Sequence, residues 1–341
     1  MIMKIKNLFL AASMLLPGAL RAQGQTDWSK PLTDRFDYHG YAQAGYNYQD
    51  PQSGDVSTYK LYRVLFWVNG NITDRWSFRF MHDFSSVPQE FYTSYRITDG
   101  KQMNVRFGQF KHGFSMENQL SPTKQELISV YSQSIAWLTA CGGDPLTGVQ
   151  YGRDLGLEVF GELFDSKLVY TFGLMQGAPI NKTDNNTQKD FIAKLDVRPI
   201  DGLRLVSSCY LGTGHAMATS AFNPGIVAGQ DYTRNRYSAG FEYKSSPFNL
   251  RAEYLAGKDD QVNSQGWYAT ISTPVLENLD VIGSYDYFDR NTDMKVDQTN
   301  ITLGLQYWYY KNCRLQLQYT NCSCQAERNY NMVQAQIQVA F

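Results

Sequence analysis

At 341 residues the chain could hold two ordinary domains or one large one, and its 31 Lys and Arg against 32 Asp and Glu leave no basic excess to offer nucleic acid. Tyr (24) and Phe (19) are abundant, Pro is scarce (11), and mean hydropathy is −0.41, with no helix-long apolar stretch after residue 23. That combination excludes a bundle of membrane helices and suits strands with one face to lipid and the other to water.

The first element is not part of the fold. Lys4 and Lys6 precede the apolar run Leu8–Leu16, and Pro17 to Ala22 ends in a small residue, the order of a secretory leader. The run falls short of the ~20 apolar residues of a membrane helix, and no cysteine follows it to take a lipid anchor. A leader over 1–22 and a short periplasmic segment over 23–35 are therefore expected. Loss of Lys4, Lys6 and Arg21 takes the formal net charge from −1 to −4.

From 36 to 341 the sequence divides into sixteen segments of period 2, each near the ~9–11 residues of a tilted membrane strand. They run from 36–48 and 58–71, through 153–164 and 189–198, to 313–321 and 330–341. Leu315, Leu317 and Tyr319 alternate with Arg314, Gln316 and Gln318; Phe191, Ala193 and Leu195 alternate with Ile192, Lys194 and Asp196. Apolar faces end in aromatics, as at Tyr46/Tyr48, Tyr285/Tyr287 and Tyr307/Tyr309, matching interfacial girdles. A soluble sandwich also alternates, but the opposite faces here carry Arg, Lys, Asp, Glu and Gln, suited to a wet lumen. Tight turns such as Thr73-Asp74 and Asp99-Gly100 interleave with longer connections at 49–57, 111–152, 177–188, 213–233 and 289–297. The sequence thus predicts an all-β fold: a transmembrane antiparallel β-barrel of about 16 strands, with a terminal Phe341 that marks the last strand for the barrel-insertion machinery.

The 111–152 connection is long enough to require a function. Ser121 to Glu126 followed by Leu127, Tyr131, Ile135 and Leu138 predicts a helix, with Thr123 and Glu126 as its capping box. In a wide barrel such a loop is expected to fold inward and narrow the lumen; the alternative is a loop that caps the outside or packs on a neighbouring subunit. Basic residues on polar faces include Arg63, Arg79, Arg96, Arg106, Lys194, Arg204, Arg251 and Arg314. Arginine suits anions through its permanent charge and planar fork, and most of these can instead pair with acids such as Asp83, Glu158, Glu162, Asp196, Glu253 and Asp286. Arg63, Arg79, Arg96, Arg106 and Lys111, with Arg153 where the barrel restarts, are the candidate pore-lining patch. Enzymatic signatures are scarce. His82 and Asp83 are adjacent in a strand, so they point to opposite faces and form no relay, and His39, His112 and His215 stand in no nucleophile motif. Cys141, Cys209, Cys313, Cys322 and Cys324 have no metal-site spacing, and no cofactor is expected.

Specific stretches resemble a known family. "FDYHGYAQAGYNYQ" at 36–49, "YRVLFWVNGNITDRWSFRFMHDF" at 62–84, "VRFGQFKHGFSMENQLSP" at 105–122, "GRDLGLEVFGEL" at 152–163 and "QKDFIAKLDVRPIDGLRL" at 188–205 are similar, in order, to the phosphate-selective porin O and P family in its Bacteroides-like form. The resemblance implies a sixteen-stranded, usually trimeric barrel with an inward third loop. Its phosphate-selecting members carry a run of arginines and lysines along the channel, whereas here acids share those faces. The expectation is a passive outer-membrane porin for small hydrophilic solutes, with mild anion preference, in contact with lipid and as a homotrimer. The alternative is a plugged barrel that acts as a surface adhesive or structural protein.

Overall fold

A computed structural model describes residues 35–341; the expected leader lies outside the described residues. Sixteen antiparallel strands close into one barrel in which each strand pairs with its sequence neighbours and the first pairs with the last. They are β1 (Phe36–Gln49), β2 (Val56–Asn71), β3 (Trp76–Asp83), β4 (Pro88–Arg96), β5 (Asn104–Lys111), β6 (Arg153–Leu163), β7 (Leu168–Met175) and β8 (Asp190–Val197). The second half is β9 (Leu203–His215), β10 (Asp231–Ser245), β11 (Phe248–Asp259), β12 (Val262–Leu276), β13 (Leu279–Asp289), β14 (Asp297–Tyr310), β15 (Cys313–Cys324) and β16 (Tyr330–Ala340). Every segment expected from the period-2 pattern is a strand, within a few residues at each end. Closure leaves no row of unpaired backbone groups, the condition a sheet must meet in hydrocarbon.

Burial is inverted relative to a soluble protein. On β15 the side chains of Arg314, Gln316, Gln318 and Thr320 are buried, while Leu315, Leu317 and Tyr319 are exposed. On β16, Gln334, Gln336 and Gln338 are buried while Ile337 and Val339 are exposed. The apolar face of each strand thus points outward, and exposed Tyr307, Tyr309, Tyr310 and Trp76 stand toward strand ends.

The seam is built for close approach. Tyr41 to Gln49 pair in register with Ala340 back to Met332, and the Phe341 amide donates to the Gly40 carbonyl at 3.0 Å. A Cβ on Gly45 would lie 1.9 Å from the Ala335 carbonyl oxygen, so only glycine allows β16 to dock there.

The connections after even-numbered strands are short. Those after odd-numbered strands are mostly longer, with 112–152 the longest; the exceptions are the four residues 84–87 between β3 and β4 and the two-residue turn 260–261 between β11 and β12. Within 112–152 lie a 3-10 turn at Glu117–Gln119 and one α-helix, α1 (Gln133–Leu138). The helix expected from residue 123 onward is corrected: it starts ten residues later, with Ser132 as N-cap. The capping box does not form because Glu126 is committed elsewhere, to Arg251 at 2.5 Å. Val130, at φ +73°, also breaks the helical path between 126 and 133.

Candidate functional site: the segment 112–152 and its basic chamber

The long segment is tied at its root. His112 N–H donates to the Gly152 carbonyl at 3.2 Å, and Asn118 Nδ2 donates to the same oxygen at 3.0 Å. Gly152 has φ +66°, and a Cβ there would lie 2.0 Å from Asn118 Oδ1. Two of the family-like stretches, 105–122 and 152–163, therefore meet at one junction.

From that root the segment bonds side chains on the polar faces of distant strands. Ser115 Oγ donates to Glu253 and the Met116 amide to the same carboxylate, at 2.9 and 3.0 Å. The Ile128 amide donates to Gln318 Oε1 at 2.9 Å, and the Gln133 amide to Asp286 Oδ2 at 2.9 Å. Arg314 Nη2 donates to the Pro122 carbonyl at 3.0 Å, while Gln316 and Gln318 both donate to the Glu126 carbonyl. One side of the segment is apolar: Phe114, Ile135, Trp137 and Leu138 pack into a buried cluster with wall residues including Ile192, Leu255 and Phe288.

Two open spaces flank the segment. One, of about 540 Å³, has walls from β13 to β16 and from connections beyond them. The other, of about 450 Å³, has walls mainly from β1, β2 and β3 together with the ends of β5 and β6. Ser129, Tyr131 and Ala136 line both.

The six candidate residues divide into three situations. Arg63, Lys111 and Arg153 line the 450 Å³ space together with Lys60, which the sequence reading left out. Lys111 and Arg153 are register partners across β5 and β6. Arg153 pairs with Glu90 at 3.0 Å, Lys111 Nζ donates to the Leu120 carbonyl at 2.7 Å, and Arg63 donates to Gln43 at 3.0 Å. Arg79 lies beside this group, 3.8 Å from Glu90, and donates to Asn69. Arg106 is taken up by Glu158 at 2.5 Å and stacks on Phe110, 4.1 Å from the ring centroid. Arg96 stands apart at the short-turn end, bonding the Asp74 carbonyl.

The opposite wall is charged but self-neutralised. Arg234 binds Asp190 at 2.7 Å and the Tyr210 hydroxyl at 2.8 Å, and Arg236 binds Asp259 at 2.9 Å. Arg204 pairs with Asp196 and Arg251 with Glu126. The acid-pairing alternative weighed from sequence thus applies to Arg106, Arg204 and Arg251, and extends to Arg153, Arg234 and Arg236. The last two were legible as alternate residues on a polar face of β10 but not as a neutralised pair of cations. In the segment itself, burial holds the His112 imidazole down to about 3 and pushes the Glu117 carboxyl up to about 8.

A closed sixteen-stranded barrel with an apolar exterior, a polar interior and a basic chamber defines an outer-membrane porin. Residues 36–341 match the phosphate-selective porin O and P family, and the chain belongs to it. Solved structures share the architecture at low identity. The outer-membrane channel DcaP of Acinetobacter baumannii has a TM-score of 0.64 at 13% identity, covering 90% of this chain and 97% of that one. OmpT of Vibrio cholerae in its trimer form has a TM-score of 0.64 at 12%, covering 90% and 99%. The anion-selective porin from Comamonas acidovorans has a TM-score of 0.62 at 16%, also covering 90% and 99%. A comparison with curated proteins finds no match.

Proposed function

We propose that this outer-membrane porin conducts small hydrophilic solutes passively along a path between the 112–152 segment and the wall formed by β13–β16 and β1–β3. The observation that carries this reading is the pair of spaces sharing Ser129, Tyr131 and Ala136. The segment is taken to lie inside the barrel: its partners Glu253, Asp286, Gln318 and Arg314 all belong to polar faces, and its apolar side is covered by wall residues. Narrowing the lumen on one side leaves the other side as the route.

The route carries a mild anion preference. Charges act over about 8 Å at physiological salt, so those in a narrow, low-dielectric passage dominate those in wide regions. Arg63 and Lys111 line the passage, each held by a neutral partner. Arg96 and Arg106 are less suited to the role originally expected of them, the first by position and the second by its pairing with Glu158. Reversal potentials in a salt gradient test the assignment: an Arg63→Gln/Lys111→Gln protein should lose most anion preference. Equal selectivity in wild type and variant would remove the chamber from the mechanism.

The unit is a homotrimer in this reading. The outer face over β1, β2, β15 and β16 has a hollow framed by small Ala44, Gly45 and Ala335 and by Tyr59, Leu61 and Ile337, a surface suited to a protein neighbour. Light scattering of detergent-purified protein should give three chains per particle; one chain per particle would contradict it. The leader at 1–22 and recognition of the C-terminal strand by insertion machinery complete the proposal for delivery.

A further inference from the structure

The two spaces beside the segment carry opposite charge. The 450 Å³ space has Lys60, Arg63, Lys111 and Arg153 against Asp83 in its lining, with Glu90 offsetting Arg153. The 540 Å³ space has Asp297 and Glu327 against Arg290, with Asp286 taken up by the Gln133 amide. The charge reversal is abrupt, because it occurs across three residues of the segment. Lys111 Nζ sits 5.8 Å from the Tyr131 ring centroid, and two residues later the Gln133 amide donates to Asp286. Among the described residues, Lys60, Arg63 and Lys111 have no acid within ion-pair distance, and Asp297 and Glu327 have no Lys or Arg within it. The field along the path is therefore not cancelled locally.

Resting on the channel reading above, the geometry points to zwitterionic solutes of the α-amino-acid class as preferred cargo. On a path that touches both spaces, a lone anion is favoured beside the basic one and repelled beside the acidic one, and a lone cation the reverse, so each meets one unfavourable region. A solute with both charges aligns with the field at the Tyr131 junction, its ammonium toward Asp297 and Glu327 and its carboxylate toward Arg63 and Lys60. A neutral solute of the same size gains nothing from that field.

Tracer uptake into proteoliposomes tests this with L-glutamine and L-arabinose, a zwitterion and a neutral sugar of similar mass, measured together in the same vesicles. The glutamine-to-arabinose rate ratio should fall by at least about twofold when low salt is replaced by 1 M salt, where screening shortens to ~3 Å. An Asp297→Asn/Glu327→Gln protein should show the reduced ratio already at low salt, and the wild-type salt titration stands without it. Arabinose entry with a ratio indifferent to salt overturns the zwitterion inference alone. Arabinose uptake no faster than in protein-free vesicles overturns the channel reading as well.

Discussion

Replacing Glu126 with Ala should release the 112–152 segment while leaving the barrel closed. Glu126 and Arg251 are both buried, with side chains 9% and 3% exposed, and their closest contact is 2.5 Å. Asn249 adds a bond to the same carboxylate at 3.1 Å. Removing one partner of a buried pair costs about 3–5 kcal/mol because the other charge is stranded. Here Arg251 retains Glu242 at 3.7 Å, so the lower end applies. About 3 kcal/mol raises the population of released segment by roughly 100-fold, at 1.4 kcal/mol per tenfold. Hydrogen–deuterium exchange reads this directly, since protected amides exchange in proportion to the open population. The amides of Ile128 and Ser132, which donate to Gln318 and Glu117, should exchange roughly 100-fold faster, while strand amides of β13–β16 stay protected. Exchange within about threefold of wild type across 124–132 would show that the pair does not hold the segment. Equal acceleration over the whole barrel would show that it holds the wall instead.

Other consequences follow from the same contacts. A Gly152→Ala protein must accommodate a side chain at φ +66° and 2.0 Å from Asn118 Oδ1; it should fold as a barrel, judged by heat-dependent gel mobility, but with unprotected amides near 112–118. An Arg96→Ala protein should keep wild-type reversal potentials, because Arg96 bonds a turn carbonyl at the short-turn end, away from the chamber that holds Arg63 and Lys111. Docking of the segment should weaken with rising pH. Burial raises the Glu117 carboxyl to about 8 from its ordinary 4.5, so in that window the docked segment holds a proton the released one loses. Stability is then fully present below the ordinary value and lost as pH rises through about 8. Exchange of 112–132 corrected for intrinsic rate should increase between pH 6 and 9, and a Glu117→Gln protein should show no such change.

The barrel was legible because membrane strands impose a local rule. Each residue's face is set by parity along its own strand, so Leu315, Leu317 and Tyr319 against Arg314, Gln316 and Gln318 declare the outside and inside without knowledge of any partner. The long segment was not legible in the same way. Thr123 and Glu126 have the spacing of a capping box, yet Glu126 meets Arg251, 125 residues away, and no local pattern reports that. One signal was present but went unused. Ile192 stands on a face otherwise occupied by Lys194 and Asp196, and Leu255 shares a face with Arg251 and Glu253; both are buried against the segment's apolar side. An apolar residue on a lumen face marks where something apolar will dock. The basic patch was half legible for a related reason: Lys111 and Arg153 were placed by the ends of a long loop, whereas Lys60, on β2, joins them through the curvature of the wall and Tyr131 through the path of the segment.

Single-channel recording of the purified protein in planar bilayers tests the central claim most directly. The open space beside Ser129, Tyr131 and Ala136 should give stepwise, ohmic current increments on insertion, with a larger increment for Tyr131→Ala, which widens the shared wall. Correctly folded protein, shown by strand-dominated circular dichroism and heat-dependent mobility, that inserts without any current step would mean that the segment plugs the barrel, and that the protein is a surface anchor rather than a pore.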